Sequence, residues 1–213
     1  MKAILLNLLL VLSFASGTPF TRAATTLRDI YGPVPEGDGL FRAAFGDYEG
    51  GAQGVKNSTT AIHSQPYAMR LKFRDGSPRS VIGIRFFDPS FHPEVIDLKA
   101  YQSSGYLEFW INPKLAPTPD LQVAFVSKGD VKIESAVRLA DYLDHAEPPD
   151  QWSLISIPLS HFSEQGKVYG TKEDAPLDWS NIVGLNFLCD TSNSPYYDPS
   201  VDDIRICTSA ESP

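Results

Sequence analysis

The chain has 213 residues, of which 42% are hydrophobic and 21% are charged, and its formal net charge is −8. This size and balance fit one globular domain with short accessory segments. The acidic excess argues against nucleic acid and anionic membranes as partners, because both are negatively charged themselves. Neutral ligands and bound cations are the partner classes that the composition favours.

The N-terminus has the pattern of a secretory signal peptide. Lys2 precedes an apolar run from Ala3 to Phe14, and the small residues Ala15-Ser16-Gly17 follow. The run is too short for a comfortable membrane span, and no later stretch is long and apolar enough. We expect cleavage after residue 17 or a few residues later, which leaves 17 basic against 26 acidic side chains. The mature protein is then expected to be secreted, or periplasmic if the source is bacterial.

The rest of the chain predicts one all-β domain. Residues 18–38 are polar and turn-rich, and we expect an irregular leader there. Residues 39–208 contain short alternating apolar runs between turn signals, which predict a two-sheet antiparallel β-sandwich or a barrel, with a short tail at 209–213. The predicted strands are Leu40–Phe45, Gly54–Ser58, Tyr67–Phe73, Val81–Phe87, Gly105–Ile111, Leu121–Val126, Val131–Leu139, Gln151–Ile157, Ile182–Cys189 and Val201–Cys207. Helical turns are predicted in Arg138–His145 and Leu159–Phe162.

Two local motifs have more than one interpretation. Cys189 and Cys207 could form a disulfide that joins the last two strands in an oxidising compartment, or they could be two buried thiols. The strand phase does not decide between these possibilities. Asn57-Ser58-Thr59 is an N-glycosylation sequon, which has meaning only if the source is a eukaryote.

The last predicted strand contains an unexpected carboxylate. In a regular strand, Asp202 shares its face with Ile204 and Ile206, and that apolar face is predicted to be buried. A buried carboxylate is costly unless it is neutralised. A bound cation is the simplest partner. The alternatives are a turn that Asp202 caps, or an ion pair with Arg70 or Arg205.

Five segments carry recognisable motifs, and their order along the chain is informative. They are Phe45–Gly51 with His63–Leu71, Ile96–Tyr101 with Tyr106–Ile111, Trp152–Phe162, Leu177–Phe187 and Val201–Ile206. Together they resemble the jelly-roll carbohydrate-binding modules with a galactose-binding-like fold. The resemblance covers about Leu40 to Ile206 and implies a jelly-roll β-sandwich with a lectin-like binding function.

The same resemblance implies a structural calcium ion between the first strand and the last. The matching positions are Glu49, at the end of the first strand, and Asp202, with Asp47 as a third candidate. Backbone carbonyls around Gly50-Gly51 and Ser64–Tyr67 could complete the shell. Calcium takes about six to eight oxygen ligands, so carboxylates and carbonyls are suitable donors.

For the ligand, the resemblance implies a glycan on the concave sheet or at its rim loops. Sugar rings stack on aromatic faces, and sugar hydroxyls exchange hydrogen bonds with polar side chains. The candidate ligand-binding residues, predicted to line the sheet face opposite the core, are Tyr106, Glu108, Trp110, Gln122, Asn186, Asp190 and Arg85. The loop with Tyr196-Tyr197-Asp198 offers a second platform. The alternative for each aromatic residue is packing in the core.

The sequence favours a non-catalytic carbohydrate-binding protein with a polysaccharide or glycan as its partner. One alternative is a small polysaccharide lyase or glycosidase on a jelly-roll scaffold. A glycosidase needs two facing carboxylates, but no pair stands out among the 26 acidic residues, and the four histidines lack the spacing of a zinc site. The other alternative is a protein-interaction module on the same fold. The sequence predicts neither the sugar nor the oligomeric state.

Overall fold

The computed structural model of the chain describes residues 25–31, 43–49, 52–58, 62–64, 68–74, 78–88, 92–113, 120–129, 132–143, 151–168, 171, 173–192 and 196–208. Within these ranges, the side chains of residues 43–49, 53, 55–58 and 74 are not described. The predicted signal peptide and the tail at 209–213 lie outside the described residues.

The described residues are nearly all β. Alternating apolar side chains, separated by turn residues, give short strands that each bury one face. The fourteen strands of the described ranges are β1 (Thr26–Tyr31), β2 (Ala43–Glu49), β3 (Gln53–Ser58), β4 (Ala68–Arg74), β5 (Ser80–Phe86), β6 (Tyr106–Asn112), β7 (Asp120–Lys128), β8 (Lys132–Arg138), β9 (Ser153–Pro158), β10 (Gln165–Val168), β11 (Asp174–Pro176), β12 (Ile182–Asp190), β13 (Tyr196–Tyr197) and β14 (Ser200–Cys207). Single 3₁₀ turns occupy Lys99–Tyr101, Leu139–Asp141 and Leu159–His161.

The strands form two antiparallel sheets. The first sheet has the order β13-β4-β14-β6-β9, with β1 also paired to β14 and β3 also paired to β4. The second sheet has the order β11-β10-β8-β7-β12-β5-β2. The two-sheet sandwich predicted from the sequence is therefore confirmed.

The core lies between the sheets and consists of the inward-facing residues of both. In the first sheet, Phe109 of β6 is fully buried, and it packs edge-to-face on Phe187 of β12 with ring centroids 5.8 Å apart. Burial of a side chain of this size contributes about 2–3 kcal/mol to stability. The outward-facing residues of each sheet define the two surfaces on which a ligand could bind, as expected for a sandwich.

Each predicted strand overlaps a strand of the structure, and the largest shift is between Leu40–Phe45 and β2 (Ala43–Glu49). The prediction of an irregular leader at 18–38 is wrong for residues 26–31, and its other residues except Thr25 lie outside the described ranges. Strand β1 lies inside residues 18–38 and pairs with the C-terminal half of β14. Ile30 and Tyr31 are buried by this pairing. Strands β10, β11 and β13 were also missed. Each is short, so its pattern is weak, and its strand conformation depends on a partner distant in sequence or on a turn.

The structure forms no disulfide between Cys189 and Cys207, and both side chains are buried. Cys189 lies in β12 of the second sheet, whereas Cys207 lies in β14 of the first. Burial, together with the charges of Asp120 and Asp190, raises the pKa of the Cys189 thiol to about 12. The interpretation as two buried thiols therefore describes this structure. No helix among the described residues is long and apolar enough to cross a membrane.

Candidate functional site

A β-bulge in β14 changes the predicted orientation of Asp202. Asp202 is in register with Trp110 of β6, but the register shifts before Arg205. Asp203 supplies the extra residue, with a φ of 49° that an aspartate tolerates better than most side chains. The bulge turns Asp202 towards the outer face of the first sheet, beside Trp110, while Ile204 remains in the core. The prediction that these two residues share a face is therefore wrong, because the sequence pattern assumes unbroken alternation.

Asp202 is nevertheless fully buried, and its carboxylate accepts hydrogen bonds from Ser64 and from the backbone of Asp203. Its Oδ2 accepts hydrogen bonds from the backbone N–H of Ser64 (2.9 Å) and from the Ser64 hydroxyl (3.1 Å). Its Oδ1 accepts from the N–H of Asp203 at 2.9 Å. Burial raises the pKa of Asp202, the Asp203 charge adds to this, and the hydrogen bonds oppose it. Neither Arg70 nor Arg205 forms the ion pair considered from the sequence, since they pair with Asp198 and Glu108.

Trp110 is part of an aromatic cluster on the same outer face. The His63 imidazole stacks on the Trp110 indole with centroids 4.0 Å apart and an interplanar angle of 17°. Trp152 meets the imidazole edge-on at 5.6 Å. The Nδ1 of His63 also lies 3.2 Å from Asp203 Oδ2. One face of the indole is thus covered by protein, which leaves less of Trp110 for stacking on a sugar.

The Glu108 side chain is not accessible to a ligand on this face. It is 0% exposed, and its Oε2 accepts hydrogen bonds from the Nε (3.2 Å) and Nη2 (3.0 Å) of Arg205. The Ser156 hydroxyl donates to Oε1 at 3.1 Å. These contacts make Glu108 part of a buried ion pair that joins three neighbouring strands. Tyr106, on the same strand, remains half-buried on this face.

The predicted ligand-binding residues do not lie on one sheet. The chain changes sheet between β6 and β7, so β6 belongs to the first sheet, while β5, β7 and β12 belong to the second. Because of this crossing, the predicted set is divided between opposite outer surfaces of the sandwich. Tyr106, Glu108 and Trp110 lie on the first, and Gln122, Asn186, Asp190 and Arg85 lie on the second. The sequence gives no direct sign of the crossing, since both strands alternate in the same way.

The outer surface of the second sheet, here called the second-sheet face, carries a chain of hydrogen bonds across its strands. Asn186 of β12 is fully buried; its Oδ1 accepts from Arg85 Nη1 of β5 at 3.3 Å, and its Nδ2 donates to Glu134 Oε2 of β8 at 2.9 Å. Glu134, 5% exposed, also pairs with Arg79. Two buried residues therefore fix two partly exposed guanidinium groups. Sequence reasoning missed Glu134 and Arg79.

Gly184 allows β12 to approach β5 closely beside one of these arginines. A Cβ on Gly184 would lie 2.2 Å from the carbonyl oxygen of Ile84 and 2.8 Å from Arg85 Nη1. Only a residue without a side chain allows the two strands and the guanidinium to approach this closely. The glycine in β12 is thus explained by the close approach of the β5 backbone at Ile84.

A second polar group lies at the other end of the same face. Asp120 Oδ1 accepts from Arg138 Nε at 2.9 Å, and its Oδ2 accepts from Gln122 Nε2 at 3.1 Å. Arg138 and Gln122 face each other across β8 and β7. The Arg138 side chain is 61% exposed. The alternation Glu134-x-Ala136-x-Arg138 in the sequence predicts that Arg138 lies on the outer face. Asp190, another predicted ligand-binding residue, lies opposite Asp120 in the pairing of β12 with β7.

The proposed metal ligands are only partly within the described structure. Among the described residues, no group of three or more His, Cys, Asp or Glu side chains is arranged to hold a metal ion. Glu49 ends β2 in the second sheet, opposite Val81, and Asp202 lies in the first sheet. The side chains of Asp47 and Glu49, and residues 50, 51 and 65–67, lie outside the described residues. What fits calcium is the oxygen-only set of Asp202, Asp203 and the Ser64 hydroxyl, which lies within hydrogen-bonding distance of both carboxylates.

One tyrosine–histidine contact bears on the enzymatic alternative. The Tyr142 hydroxyl lies 2.6 Å from Nδ1 of His161, beside the Leu139–Asp141 turn. Desolvation raises the pKa of Tyr142, and the Asp141 charge adds to the effect. The phenol is therefore protonated at neutral pH, as an ordinary tyrosine is.

The two-sheet β-sandwich is an architecture shared by many protein classes, and the family match decides which class this is. The chain belongs to the carbohydrate-binding domain 30 family, whose model matches residues 49–208. This confirms the carbohydrate-binding resemblance that was drawn from the motifs. A search of curated protein sequences finds no significant match.

Solved structures with the same fold include modules of two carbohydrate-binding families. The family 30 module of the cellulosomal cellulase Cel9D-Cel44B of Clostridium thermocellum aligns with a TM-score of 0.60 and 18% identity, over 84% of this chain and 95% of that one. The family 11 module of the cellulosomal cellulase Lic26A-Cel5E of the same organism aligns with a TM-score of 0.51 and 14% identity, over 88% and 95%. At these identities the likeness establishes the fold.

Proposed function

We propose that the chain is a secreted, non-catalytic protein that binds a glycan chain on the second-sheet face. The observation that carries the proposal is the hydrogen-bonded series Arg79–Glu134–Asn186–Arg85, together with the group formed by Arg138, Asp120 and Gln122. In the first group, Asn186 reaches Glu134 across β7, and Arg79 precedes β5. In the second group, Arg138 and Gln122 lie on the neighbouring strands β8 and β7. Fixed donors bind a ligand with a smaller loss of side-chain entropy than mobile ones.

The two groups border a strip of small residues that runs across the strands. Ala136 of β8, Ala124 of β7 and Gly83 of β5 follow one another in register, with Asn186 of β12 between the last two. Ala136 is exposed, whereas Ala124, Asn186 and Gly83 are buried. The accessible part of the strip therefore lies on β8 and β7, where Arg138 is exposed and Gln122 is partly exposed. Arg138 and Gln122 on one side, and Arg85 on the other, are placed to exchange hydrogen bonds with the hydroxyls of a glycan.

A binding assay on the purified protein tests this site. The probes are cellohexaose, xylohexaose and mannohexaose, with the first included because one structurally similar module belongs to a cellulase. We expect at least one probe to bind, and the double variant Arg138→Ala/Gln122→Ala to lose about tenfold or more in affinity, equivalent to about 1.4 kcal/mol. Lys99→Ala, which removes an exposed cation from the Lys99–Tyr101 turn, is the matched control. Binding that the double variant leaves unchanged would place the ligand elsewhere.

Two further parts of the proposal have their own tests. Release of shortened sugars from the same probes would contradict a non-catalytic role. Secretion is supported by the N-terminal pattern of Lys2, an apolar run and small residues. Mass spectrometry of the N-terminus after expression in the native host should find a chain that lacks residues 1–17, whereas an intact Met1 on the exported fraction would argue against cleavage.

We also propose that calcium stabilises the sandwich at the bulge of β14. The support is the buried Asp202 carboxylate beside a second carboxylate, with no cationic side chain bonded to Asp202 among the described contacts. Asp202, Asp203 and the Ser64 hydroxyl would supply part of the shell. Glu49 and Asp47 belong to β2 of the other sheet and are not part of this proposal. The ion would neutralise charge and hold the segment around Ser64 on β14.

A further inference from the structure

The first sheet presents an exposed aromatic residue on the side of the molecule opposite to the second-sheet face. Tyr196 and Tyr197 form β13, which pairs with β4. Tyr197 is fully buried and stacks with Phe73, at a centroid distance of 6.3 Å, so alternation directs Tyr196 outwards. The Tyr196 side chain is 47% exposed, whereas most other large apolar residues of the described ranges are buried.

The Tyr196 ring is held in position by two charged neighbours. Its hydroxyl donates to Asp198 Oδ2 at 2.9 Å and lies 3.4 Å from Nη2 of Arg70, which can donate to it. Arg70 and Asp198 form an ion pair through the same Nη2 and Oδ2 atoms. Both charged side chains are largely buried, with 28% and 16% exposure. A fixed, exposed ring loses little entropy when a ligand stacks on it.

The same pair keeps hydrogen-bonding capacity next to the ring. Within the described part of the chain, the side-chain contacts of Arg70 use Nη2, and those of Asp198 use Oδ2. The Nε and Nη1 of Arg70 therefore remain as donors, and Oδ1 of Asp198 remains as an acceptor. A flat ring with a donor and an acceptor beside it matches a pyranose, which has an apolar C–H face and hydroxyls at its edge.

We infer that Tyr196, Arg70 and Asp198 form a second sugar-binding site, on the opposite sheet from the site proposed above. The inference rests on the proposed carbohydrate-binding function, because it takes the same class of ligand. A sugar ring stacks on Tyr196, one hydroxyl accepts from Arg70, and another donates to Asp198. Two sites on opposite faces make the molecule bivalent, and bivalent contact with a polymer raises avidity when both sites engage.

The experiment is an NMR titration of the ¹⁵N-labelled full chain with cellohexaose, xylohexaose and mannohexaose at millimolar concentration. We expect two sets of shifted amides, one in β7, β8 and β12 and one around Tyr196 and Asp198. In Tyr196→Ala the second set should weaken at least fivefold in affinity, while the first keeps its affinity. Val95→Ala, which truncates the other large exposed hydrophobic side chain among the described side chains, is the control.

The possible outcomes separate the two proposals. Shifts confined to β7, β8 and β12, unchanged in Tyr196→Ala, overturn the second site and leave the first intact. Shifts around Tyr196 that persist in Arg138→Ala/Gln122→Ala support the second site even if the first is wrong. If no probe shifts either set, both proposals fail. Tyr196→Phe keeps the ring but loses the hydroxyl, so retained binding in this variant shows that stacking dominates.

Discussion

At the scale of single residues, Asp202 is an acidic side chain in an unfavourable environment, because it is buried and lies beside a second carboxylate. A buried carboxylate is stable only if hydrogen bonds or a counter-charge replace the water it has lost. Asp202 has three such hydrogen bonds, from Ser64 and from the N–H of Asp203, yet a second carboxylate lies next to it. Its ionised form is therefore disfavoured in the fold, and a cation at this point would reverse that preference.

This unfavourable environment predicts a pH dependence in the absence of metal. The pKa of Asp202 is raised in the folded state, mainly by burial. Its protonated form thus contributes stability at low pH, and that contribution is lost as the pH rises through the raised pKa. In a chelator, Asp202→Asn should gain in melting temperature relative to the wild type, by a few degrees, as the pH rises from about 4 to 8. Differential scanning fluorimetry across this range measures the difference.

A matched control, Asp178, is expected to show a pH dependence of stability with the opposite sign. Hydrogen bonds from Ser180 and Asn181 lower the pKa of Asp178. The ionised form of Asp178 therefore contributes stability that is lost as the pH falls. The melting temperature of Asp178→Asn, relative to that of the wild type, should therefore be higher at low pH than at neutral pH. If the difference in melting temperature between Asp202→Asn and the wild type does not change with pH, then the surroundings of Asp202 do not disfavour its ionised form.

At the scale of elements, the bulge in β14 and the aromatic cluster beside it form one structural unit. Asp203 provides the extra residue of the bulge, and it lies within hydrogen-bonding distance of His63 and Ser64. His63 in turn stacks on Trp110 of β6 and meets Trp152 before β9. Side chains from three parts of the chain thus hold residues 62–64 on the first sheet. We interpret this cluster as structural, because the contacts that fix it also cover the indole.

This interpretation predicts the effect of Trp110→Ala. Removal of the indole deletes the stacking with His63, so the free energy of unfolding should fall by about 2 kcal/mol. Glycan affinity on the second-sheet face should stay within about twofold of the wild type. Chemical denaturation and a titration with the best hexasaccharide measure the two quantities. Arg138→Ala should show the reverse, with weaker binding and unchanged stability, and loss of glycan binding in Trp110→Ala would restore Trp110 as a ligand platform.

At the scale of the whole molecule, the sandwich separates its two surfaces by a continuous apolar core. The second-sheet face carries hydrogen-bonded polar residues beside a small apolar cluster of Val81, Ala124 and Leu188. The first sheet carries the Asp202 cluster and, at β13, the exposed Tyr196. The N-terminal strand β1 pairs with the last strand β14, so the two ends of the described chain meet in one sheet. A cation at the bulge of β14 would stabilise this meeting point.

The calcium proposal predicts a change in global stability. Binding to the folded state alone stabilises it by about 3 kcal/mol when the free ion is a hundredfold above Kd, so EDTA should lower the melting temperature by several degrees. Added calcium should restore it, and Asp202→Asn should be insensitive to both. Asp178→Asn, which leaves the bulge intact, should respond as the wild type does. Identical melting curves with EDTA and with excess calcium would refute a structural ion.

The sequence by itself determined the fold class, the positions of most longer strands and the family resemblance. These features depend on local alternation and on motifs whose residues are close together in the chain. It also predicted that Gln122, Asn186 and Arg85 face outward from their strands, and the structure places them so. Glu134 is outward by the same alternation, but its pairing with Arg79 and Asn186 is visible only in the structure.

Only the tertiary structure decided which residues share a surface. The crossing between β6 and β7 placed Trp110 and Gln122 on opposite sides of the molecule, and the bulge at Asp203 turned Asp202 out of the core face. Strand β1 exists only through its pairing with β14. Alternation along a strand specifies two faces without saying which neighbour each will have. The neighbours are set by sheet order and register, which are properties of the folded chain.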